Sequence, residues 1–298
     1  MRPELIEATS LLRSPGLANL EQAIRLLQKT VYSFSMKVCG HLEDAEDTAQ
    51  EVLLKSVPYL PKIESPQALA VWLYKVARNR CWMSRRRSKF APKEMLALED
   101  LMPDSAELQS LSSRPQQTPE AQAISSQESE RLHQAILRIP PNYRLVLVLH
   151  DMEGLTSSEV ANITGLQEGT VRVRLHRARL FVRRELAKPS PAPVAPRRKK
   201  PAGAKADCRE MFANLSEYID GRIDDVTCQR MRIHLEDCPP CVAFINDLKR
   251  AIERCQAFEA PCQPAASEKL HKLLAEEYSR LLNRGKVPGR ESPIVSEA

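Results

Sequence analysis

The chain has 298 residues, which is enough for two or three ordinary domains. Its hydrophobic share of 43% suits packed cores, and apolar runs such as 145–149 are far too short to cross a bilayer. The first residues lack the charged-then-apolar pattern of a secretory signal, so we expect a cytoplasmic protein with no membrane partner. Glycine is scarce, at nine residues, and this composition favours helices.

The net charge of +6 is unevenly distributed along the chain. Residues 72–93 hold eight Lys or Arg and no acid, whereas residues 94–130 hold eight acids and one base. Residues 166–188 are basic again, with seven Lys or Arg and two acids. Two basic blocks around an acidic segment indicate two surfaces that bind polyanions, although ordinary solvated helix faces would give the same pattern.

Residues 20–90 have the pattern of a helical domain. One helix, around Leu42 to Ser56, places apolar residues on one face and Asp44, Asp47 and Glu51 on the other. Because no Lys or Arg lies between residues 38 and 54, this acidic stripe favours a cationic partner, with a solvated face as the alternative.

The next helix runs from about residue 67 to residue 87, after a proline-containing loop at 58–66. It combines aromatic side chains with cations, a combination that holds single-stranded bases by stacking and their phosphates by charge. Trp72 and Leu73 could instead belong to the core, and we expect Trp72 to be at least half buried. The candidate nucleic-acid residues are Trp72, Lys75, Arg78, Asn79 and Arg80, with Arg85 to Arg87 as further phosphate contacts.

The remaining sequence alternates between helical and irregular segments. Residues 91–127 are acidic and rich in Pro, Ser and Gln, which predicts a flexible linker with little fixed structure. We predict an all-α chain of two helical domains joined by this linker, plus a small helical C-terminal domain. The predicted segments are 1–90, the linker 91–127, a helical domain at 128–187, a mobile Pro/Ala/Lys tether at 188–206, a small domain at 207–258, and a last helix with a tail at 259–298.

The segment 156–180 has the spacing of a helix-turn-helix. Thr156 and Glu159 form a capping box that starts the first helix. Gly165 supplies the positive backbone angle that the turn needs, and Val171 lies six positions later, where it would pack back on the first helix. In this motif the second helix enters the major groove of DNA.

The second helix of this motif has an inward stripe at Val171, Leu175 and Ala178, and basic residues elsewhere. Arginines on such a helix contact guanine or phosphate, and a plain helical hairpin with a basic face is the alternative. The candidate DNA contacts are Thr170, Arg172, Arg174, His176 and Arg177.

These motifs resemble the sigma-70 family of bacterial RNA polymerase sigma factors, in its extracytoplasmic-function (ECF) branch. The segment EGLTSSEVANITGLQEGTVRVRLHRAR resembles sigma region 4, except that Val173 stands where Ser is usual. The helices HLEDAEDTAQEVLLKS and VWLYKVARNRCWMSRRR resemble region 2, with Ser84 where an Asp is common. The resemblance covers about residues 20–90 and 130–187, in the family's order.

The resemblance implies a chain that is not an enzyme and whose partners are core RNA polymerase and promoter DNA. It implies that the loop at 58–66 and the following helix capture the upstream promoter element and a flipped base. It also implies that the acidic linker threads through basic channels of the polymerase. The residues that it implies for docking on the polymerase clamp are Asp44, Asp47, Gln50 and Glu51.

A metal-ligand spacing, HLEDCPPC, follows in the last third of the chain. His234 and Cys238 lie one helical turn apart and Cys241 follows a Pro-Pro pair, which gives three of the four ligands of a structural zinc. Cys208 lies 26 positions before His234, and with YIDGRIDD this spacing resembles the zinc-binding anti-sigma fold. Cys228 is the rival fourth ligand.

Six of the eight cysteines follow residue 207, which favours metal or redox chemistry over a disulfide framework. Four protein ligands leave no open position on the metal, so the zinc is predicted to be structural, with a sensory role of the thiols as the alternative. The resemblance implies a tethered regulator that contacts the sigma halves of its own chain.

Two other functions compete with the sigma factor. One is a conventional helix-turn-helix transcription regulator with a structural zinc site, and the other is a zinc enzyme that acts on nucleic acid. The acidic helix and the Trp72 helix argue against the first, which has no use for them.

Overall fold

The computed structural model describes residues 2–13, 17–56, 59–60, 63, 65–85, 94–103, 107–108, 126–187 and 206–260. Every regular element in these ranges is a helix, which confirms the predicted all-α class. None of these helices is both long and apolar enough to cross a membrane. The tether up to residue 205, much of the linker and the predicted last helix lie outside the described residues. The chain divides into two compact units, Met1–Arg86 with Ala260–Ala298, and Arg87–Glu259.

In the first unit, helix α2 packs against the three other described helices. Leu27, Phe34 and Leu73 are fully buried in the core, and the rings of Phe34 and Tyr74 lie 4.8 Å apart. Burial of this apolar surface holds the bundle together. The helices are α1 (Pro3–Arg13), α2 (Leu17–Cys39), α3 (Leu42–Ser56) and α4 (Pro66–Arg85).

A disulfide joins Cys39 at the end of α2 to Cys81 on α4, and the two Cα atoms are 5.8 Å apart. Both residues are buried. The cysteine count correctly drew attention to the C-terminal cluster, but it missed this pair. The two cysteines are 42 positions apart, and a separation of this length gives no local pattern from which their contact could be predicted.

In the second unit, the long helix α9 packs against the linker helix, the helices of the predicted region 4 and two helices of the C-terminal part. α7 continues into a π-helical turn at Val148–Met152. The helices are α5 (Leu98–Leu101), α6 (Ser126–Arg138), α7 (Pro141–Leu147), α8 (Ser157–Thr164), α9 (Glu168–Ala187), α10 (Ala206–Ile219), α11 (Asp225–Asp237) and α12 (Pro239–Ala257).

The helix-turn-helix is formed by α8 and α9, as the sequence predicts. The Thr156 hydroxyl accepts the backbone N–H of Glu159, and the Glu159 carboxylate accepts the backbone N–H of Thr156, so the capping box is complete. Gly165 ends α8 with a φ of 70°, in the left-handed region that favours glycine. The inward stripe of α9 is fully buried at Val171, Leu175 and Ala178.

Arg144, on α7, is buried. Its guanidinium donates hydrogen bonds to the backbone carbonyls of Ile139 and Leu137 at the end of α6. Because Leu137 lies at the end of α6 and Ile139 follows it, these carbonyls have no partner within the helix, so Arg144 stabilises the turn between α6 and α7.

Two stretches of the acidic linker are packed against α9. Leu101 and Leu108 are buried, and the Arg184 guanidinium donates to the backbone carbonyl of Asp100 at 2.6 Å. The composition of the linker predicted little fixed structure, and the described stretches 94–103 and 107–108 differ from that prediction. A few leucines suffice to anchor a segment whose average composition is polar.

Candidate nucleic-acid interface and metal centre

The predicted polymerase-docking residues lie on α3 of the first unit. Asp47 is exposed, and Asp44 and Gln50 are partly exposed. Glu51 is different, because its carboxylate pairs with Lys55 at 2.7 Å and with Arg80 at 2.6 Å. The hydrogen bond from Lys55, with the charge of Arg80, holds the pKa of Glu51 below its ordinary value. The expectation that nothing neutralises the stripe is therefore wrong at Glu51.

The candidate nucleic-acid residues of α4 have different environments. Trp72 is mostly buried, as predicted, and its ring centroid lies 5.5 Å from that of Tyr59. Lys75 and Asn79 are exposed, Arg78 is partly exposed, and Arg80 is held by the ion pair with Glu51. Burial lowers the pKa of Arg78. The side chains of Arg85 to Arg87 lie outside the described residues.

Tyr59 is an aromatic residue that the sequence reasoning passed over. It lies in the proline-containing loop before α4 and is 50% exposed, so Tyr59 and Trp72 form an accessible aromatic pair. An aromatic residue in a loop predicted to capture a base was the available signal.

The candidate DNA residues of α9 do not share one environment. Thr170, Arg172, Arg174 and Arg177 are partly exposed, whereas His176 is buried. Burial, together with the charges of neighbouring arginines, lowers the pKa of His176 to about 4, so its ring is neutral at pH 7. The prediction that His176 contacts DNA is therefore not met in this conformation, because the ring is neither accessible nor charged.

His176 faces the C-terminal module, the name used here for α10–α12 with the residues between them and the two that follow α12, 206–259. Its Nδ1 lies 2.9 Å from the Ser216 hydroxyl on α10. Arg172, one turn earlier on α9, pairs with Glu217 at 3.3 Å. This ion pair is half exposed, so its own contribution to stability is small.

Arg179 lies between two carboxylates in the interior of the second unit. Its guanidinium donates to Asp151, on the π-helical turn, at 2.6 and 2.8 Å, and to Asp220, in the module, at 2.8 and 2.9 Å. Burial acts to raise the pKa of Asp151, but the charge and hydrogen bonds of Arg179 outweigh it and hold that pKa below its usual value. Arg179 is 3% exposed.

Arg183, one turn further along α9, has the same kind of environment. It pairs with Glu107 of the linker at 2.5 Å and with Asp247 of the module at 2.8 Å. Its guanidinium carbon also lies 4.2 Å above the ring of Phe244, within range of a cation–π interaction. Arg183 is thus held by the linker and the module together.

Sequence reasoning gave no role to the acidic and hydroxyl partners of α9. Their separations along the chain, up to 76 residues, follow no local periodicity. The available sequence signal was Glu217 before the YIDG motif and Asp220 within it, in a segment otherwise read for its metal ligands. The missed residues are Glu107, Asp151, Ser216, Glu217, Asp220 and Asp247.

The module brings Cys208, His234, Cys238 and Cys241 together, with ligand atoms that all lie within 4.8 Å of one another. Cys208 lies on α10, His234 on α11, and the two other cysteines at the start of α12. Cys228, the rival fourth ligand, is not part of this group in the described residues.

The donor set of this group fits a tetrahedral zinc. The His234 Nε2 lies 3.6 Å from the Cys208 Sγ and 3.4 Å from the Cys241 Sγ. Ordinary Zn–S and Zn–N bonds place sulfur and nitrogen about 3.6 Å apart around a tetrahedral ion. Burial and the neighbouring thiols of Cys238 and Cys208 raise the pKa of Cys241, and a bound divalent ion would favour the thiolate form that ligates it.

A helix-turn-helix whose second helix carries partly exposed arginines is typical of proteins that bind DNA. Three family models match the chain: "Sigma-70 region 2" at 23–90, "Sigma-70, region 4" at 129–182 and "Putative zinc-finger" at 208–241. The chain belongs to the extracytoplasmic-function sigma factors of the sigma-70 family and carries a C-terminal zinc-finger domain. It is not an enzyme.

Curated relatives agree with this family. ECF RNA polymerase sigma factor SigW of Bacillus subtilis is 27% identical over 163 residues, which cover 55% of this chain and 86% of SigW. ECF RNA polymerase sigma factor SigM of Mycobacterium tuberculosis is 30% identical over 166 residues, 56% of this chain and 76% of SigM. RNA polymerase sigma factor YlaC of B. subtilis is 26% identical over 172 residues, 57% of this chain and 93% of YlaC.

Proposed function

We propose that this sigma factor binds core RNA polymerase through α3, contacts promoter DNA through α4 and α9, and is inhibited by its own zinc-bound C-terminal module. The observation that supports this most is that the module's polar residues pair with a helix predicted to read DNA. Because polymerase and promoters lie in the bacterial cytoplasm, we propose that location for the chain. The proposed segments are those predicted from the sequence, with region 2 at 1–90 and region 4 at 128–187.

Polymerase docking is assigned to those residues of the acidic stripe on α3 that form no ion pair in the described part of the chain. Among the described residues, Asp44 and Asp47 form no ion pair, while Gln50 lies on the same side of the helix. Unpaired carboxylates on an exposed face favour association with a basic partner surface. Glu51 has a different role in this proposal, since its pair with Arg80 joins α3 to α4.

Neutralising Asp44 and Asp47 tests this assignment. The double variant Asp44→Asn/Asp47→Asn is expected to weaken binding to core RNA polymerase about tenfold, because it loses two interfacial charges. Binding is measured by titrating labelled protein with core enzyme, and promoter-directed initiation is followed by run-off transcription.

A matched control, Glu7→Gln/Glu21→Gln, removes the same charge from exposed positions of α1 and α2 in the same unit, off α3. If both double variants bind alike, the stripe is not the docking surface. A wild-type chain that binds core enzyme but leaves its choice of start sites unchanged would contradict the sigma function itself.

Promoter contacts are assigned to both units. On α4 they are the exposed Lys75 and Asn79 and the partly exposed Arg78, beside the aromatic pair of Tyr59 and Trp72. Further promoter contacts are assigned to Thr170, Arg172, Arg174 and Arg177 of α9.

The metal is proposed to be a structural zinc held by Cys208, His234, Cys238 and Cys241. Such an ion supplies no chemistry of its own in a site with four protein ligands. Its effect is to fix α10, α11 and α12 against one another, which keeps Ser216, Glu217 and Asp220 in reach of α9.

Inhibition is proposed because the module engages two residues of the predicted DNA-binding set, Arg172 and His176. The predicted tether keeps the module near α9 at a high effective concentration, so modest contacts suffice. In the docked state the linker is held too, since Glu107 and Asp247 share Arg183.

The variant Asp220→Asn/Asp247→Asn tests inhibition. It removes both carboxylates by which the module holds the buried arginines, yet Arg179 keeps Asp151 and Arg183 keeps Glu107. Neither arginine is left as an uncompensated buried charge, so the rest of the unit is expected to stay folded. We expect run-off transcription to rise roughly tenfold if about 1.4 kcal/mol of docking free energy is lost.

The control Glu253→Gln/Glu259→Gln removes the same charge from exposed positions of the module. Inhibition is contradicted if the Asp220/Asp247 variant is no more active than this control. A fall in activity would reverse the sign of the regulation, with the module required for initiation.

A further inference from the structure

Basic residues occupy two opposite sides of α9. Successive residues of an α-helix are rotated by 100°, so positions at spacings of three and four share a side. The two sides lie about 160° apart, and the buried stripe of Val171, Leu175 and Ala178 lies between them. One side carries Arg172, His176, Arg179 and Arg183. The other carries Thr170, Arg174 and Arg177, and further along Arg184, whose guanidinium is bound to the linker carbonyl of Asp100.

Every residue of the first side contacts the module. His176, Arg179 and Arg183 are buried, and each arginine also has a carboxylate partner outside the module, Asp151 or Glu107. These two arginines therefore remain paired when the module leaves and do not become free to bind phosphate. Arg172 is 40% exposed and pairs with Glu217 alone in the described residues, so its charge is released on undocking.

The second side has no hydrogen bond or ion pair to the module in the part of the chain that the structure describes. Arg174 lies 5.8 Å above the ring of Tyr143, on α7, which orients its guanidinium. Thr170 and Arg177 are partly exposed on the same side, and Val173, between the two sides, is 54% exposed. This side remains open to a polyanion while the module is docked.

We propose that α9 serves two partners: its Arg174 side binds promoter DNA whether or not the module is docked, and Arg172 is the residue for which module and DNA compete. This inference rests on the proposed function and deepens it. Docking then reduces DNA affinity because Arg172 is paired with Glu217 of the module and cannot bind phosphate, while α9 keeps its other DNA contacts.

The experiment compares the gain in DNA affinity on undocking in three backgrounds. The full chain, with core RNA polymerase, is titrated with a short fluorescein-labelled duplex of mixed sequence, and anisotropy reports binding. Undocking is produced by Asp220→Asn/Asp247→Asn, and the effect of lost negative charge is subtracted with Glu253→Gln/Glu259→Gln. The backgrounds are the wild-type sequence, Arg172→Gln and Arg174→Gln.

After the charge effect is subtracted, undocking is expected to raise DNA affinity about tenfold in the wild-type and Arg174→Gln backgrounds. With Arg172→Gln the increase is expected to be less than about twofold. Arg174→Gln should weaken binding about tenfold in both docked and undocked chains, and reduce the slope of log affinity against log salt by about one. Arg172→Lys keeps the charge and should retain the gain, which separates loss of charge from loss of fold.

Equal gains in the Arg172→Gln and Arg174→Gln backgrounds would overturn the two-partner inference. So would an effect of Arg174→Gln that is confined to the undocked chain. Both outcomes leave the sigma function intact, because that function fails only if the wild-type chain does not redirect core polymerase to new start sites.

Discussion

Replacing Cys208 or Cys238 with serine is expected to remove zinc and to unfold α10–α12, while α1–α4 stay folded. The module is small, with a core centred on Phe212 and Phe244, whose rings lie 4.9 Å apart. A core of this size cannot offset the conformational entropy of folding without a bound metal ion or a covalent cross-link. Structural zinc contributes about 10–16 kcal/mol in comparable small sites, which makes this the largest effect expected in the chain.

Two measurements check the zinc prediction. Elemental analysis should find about one zinc per chain in the wild-type protein and none in the serine variants. Hydrogen exchange should show that the amides of α10–α12 lose protection in the variants, with those of α1–α4 unchanged. A strong chelator should have the same effect as the substitutions.

The control for this experiment is Cys228→Ser. Cys228 lies on α11 outside the group of four in the described chain, so the variant should keep both zinc and protection. Zinc loss in Cys228→Ser, with retention in Cys208→Ser, would make Cys228 the fourth ligand. Intact α10–α12 after complete zinc removal would contradict a structural role for the metal.

Zinc loss also predicts a change at α9. Ser216 and Glu217 lie at the end of α10 and Asp220 directly follows it, while Cys208 lies near the start of the same helix. When α10 unfolds, these contacts are lost together, and the module can no longer withhold Arg172. If zinc is bound as proposed, oxidation of its cysteine ligands would release the module and raise DNA affinity, which is the physical basis of the sensory alternative.

Local signals in the sequence predicted the helix-turn-helix and the metal-binding group well. A capping box, a glycine with positive φ and an inward apolar stripe each depend on residues within one or two turns. The His234 to Cys241 spacing is local in the same sense. Thr156, Gly165 and Leu175 therefore have the structural positions that the sequence predicts.

The partners of charged residues could not be predicted in this way. Arg80 neutralises Glu51 from another helix, and Arg183 pairs with residues 76 and 64 positions away. An ion pair depends on which helices pack side by side, and hydrophobic periodicity fixes the buried face of a helix but not its neighbour. His176 is an example. Its position on a basic helix predicted an exposed side chain, but the C-terminal module packs against it and buries it.

Replacing Arg179 with methionine is expected to destabilise the second unit by about 3–5 kcal/mol at pH 7. Methionine preserves much of the apolar volume but removes the cation between Asp151 and Asp220. Asp151 is 4% exposed, and among the described residues it would keep His150 as its side-chain partner, whose Nδ1 lies 2.9 Å from its carboxylate. Leaving a buried carboxylate without its main partner is the costly step, and loss of the Asp220 pair adds undocking of the module.

The cost of Arg179→Met should depend on pH in a direction that identifies Asp151 as its source. In the wild-type protein the pKa of Asp151 is held below its ordinary value, so the pair stabilises the fold above that value and loses its effect as pH falls. In the variant, burial without the arginine raises the pKa of Asp151, which penalises the fold increasingly as pH rises. The difference in stability between the two proteins should therefore shrink as pH falls from 7 towards about 4.

Hydrogen exchange of the α9 amides at several pH values measures this difference for the second unit. The double variant Arg179→Met/Asp151→Leu removes both charges and should recover most of the lost stability, because an apolar pair of similar volume can replace a buried ion pair. Arg177→Met removes an arginine from the exposed side of the same helix and should cost less than about 1 kcal/mol. If the double variant is as unstable as Arg179→Met alone, the loss comes from packing around α9, and the buried carboxylate is not its cause.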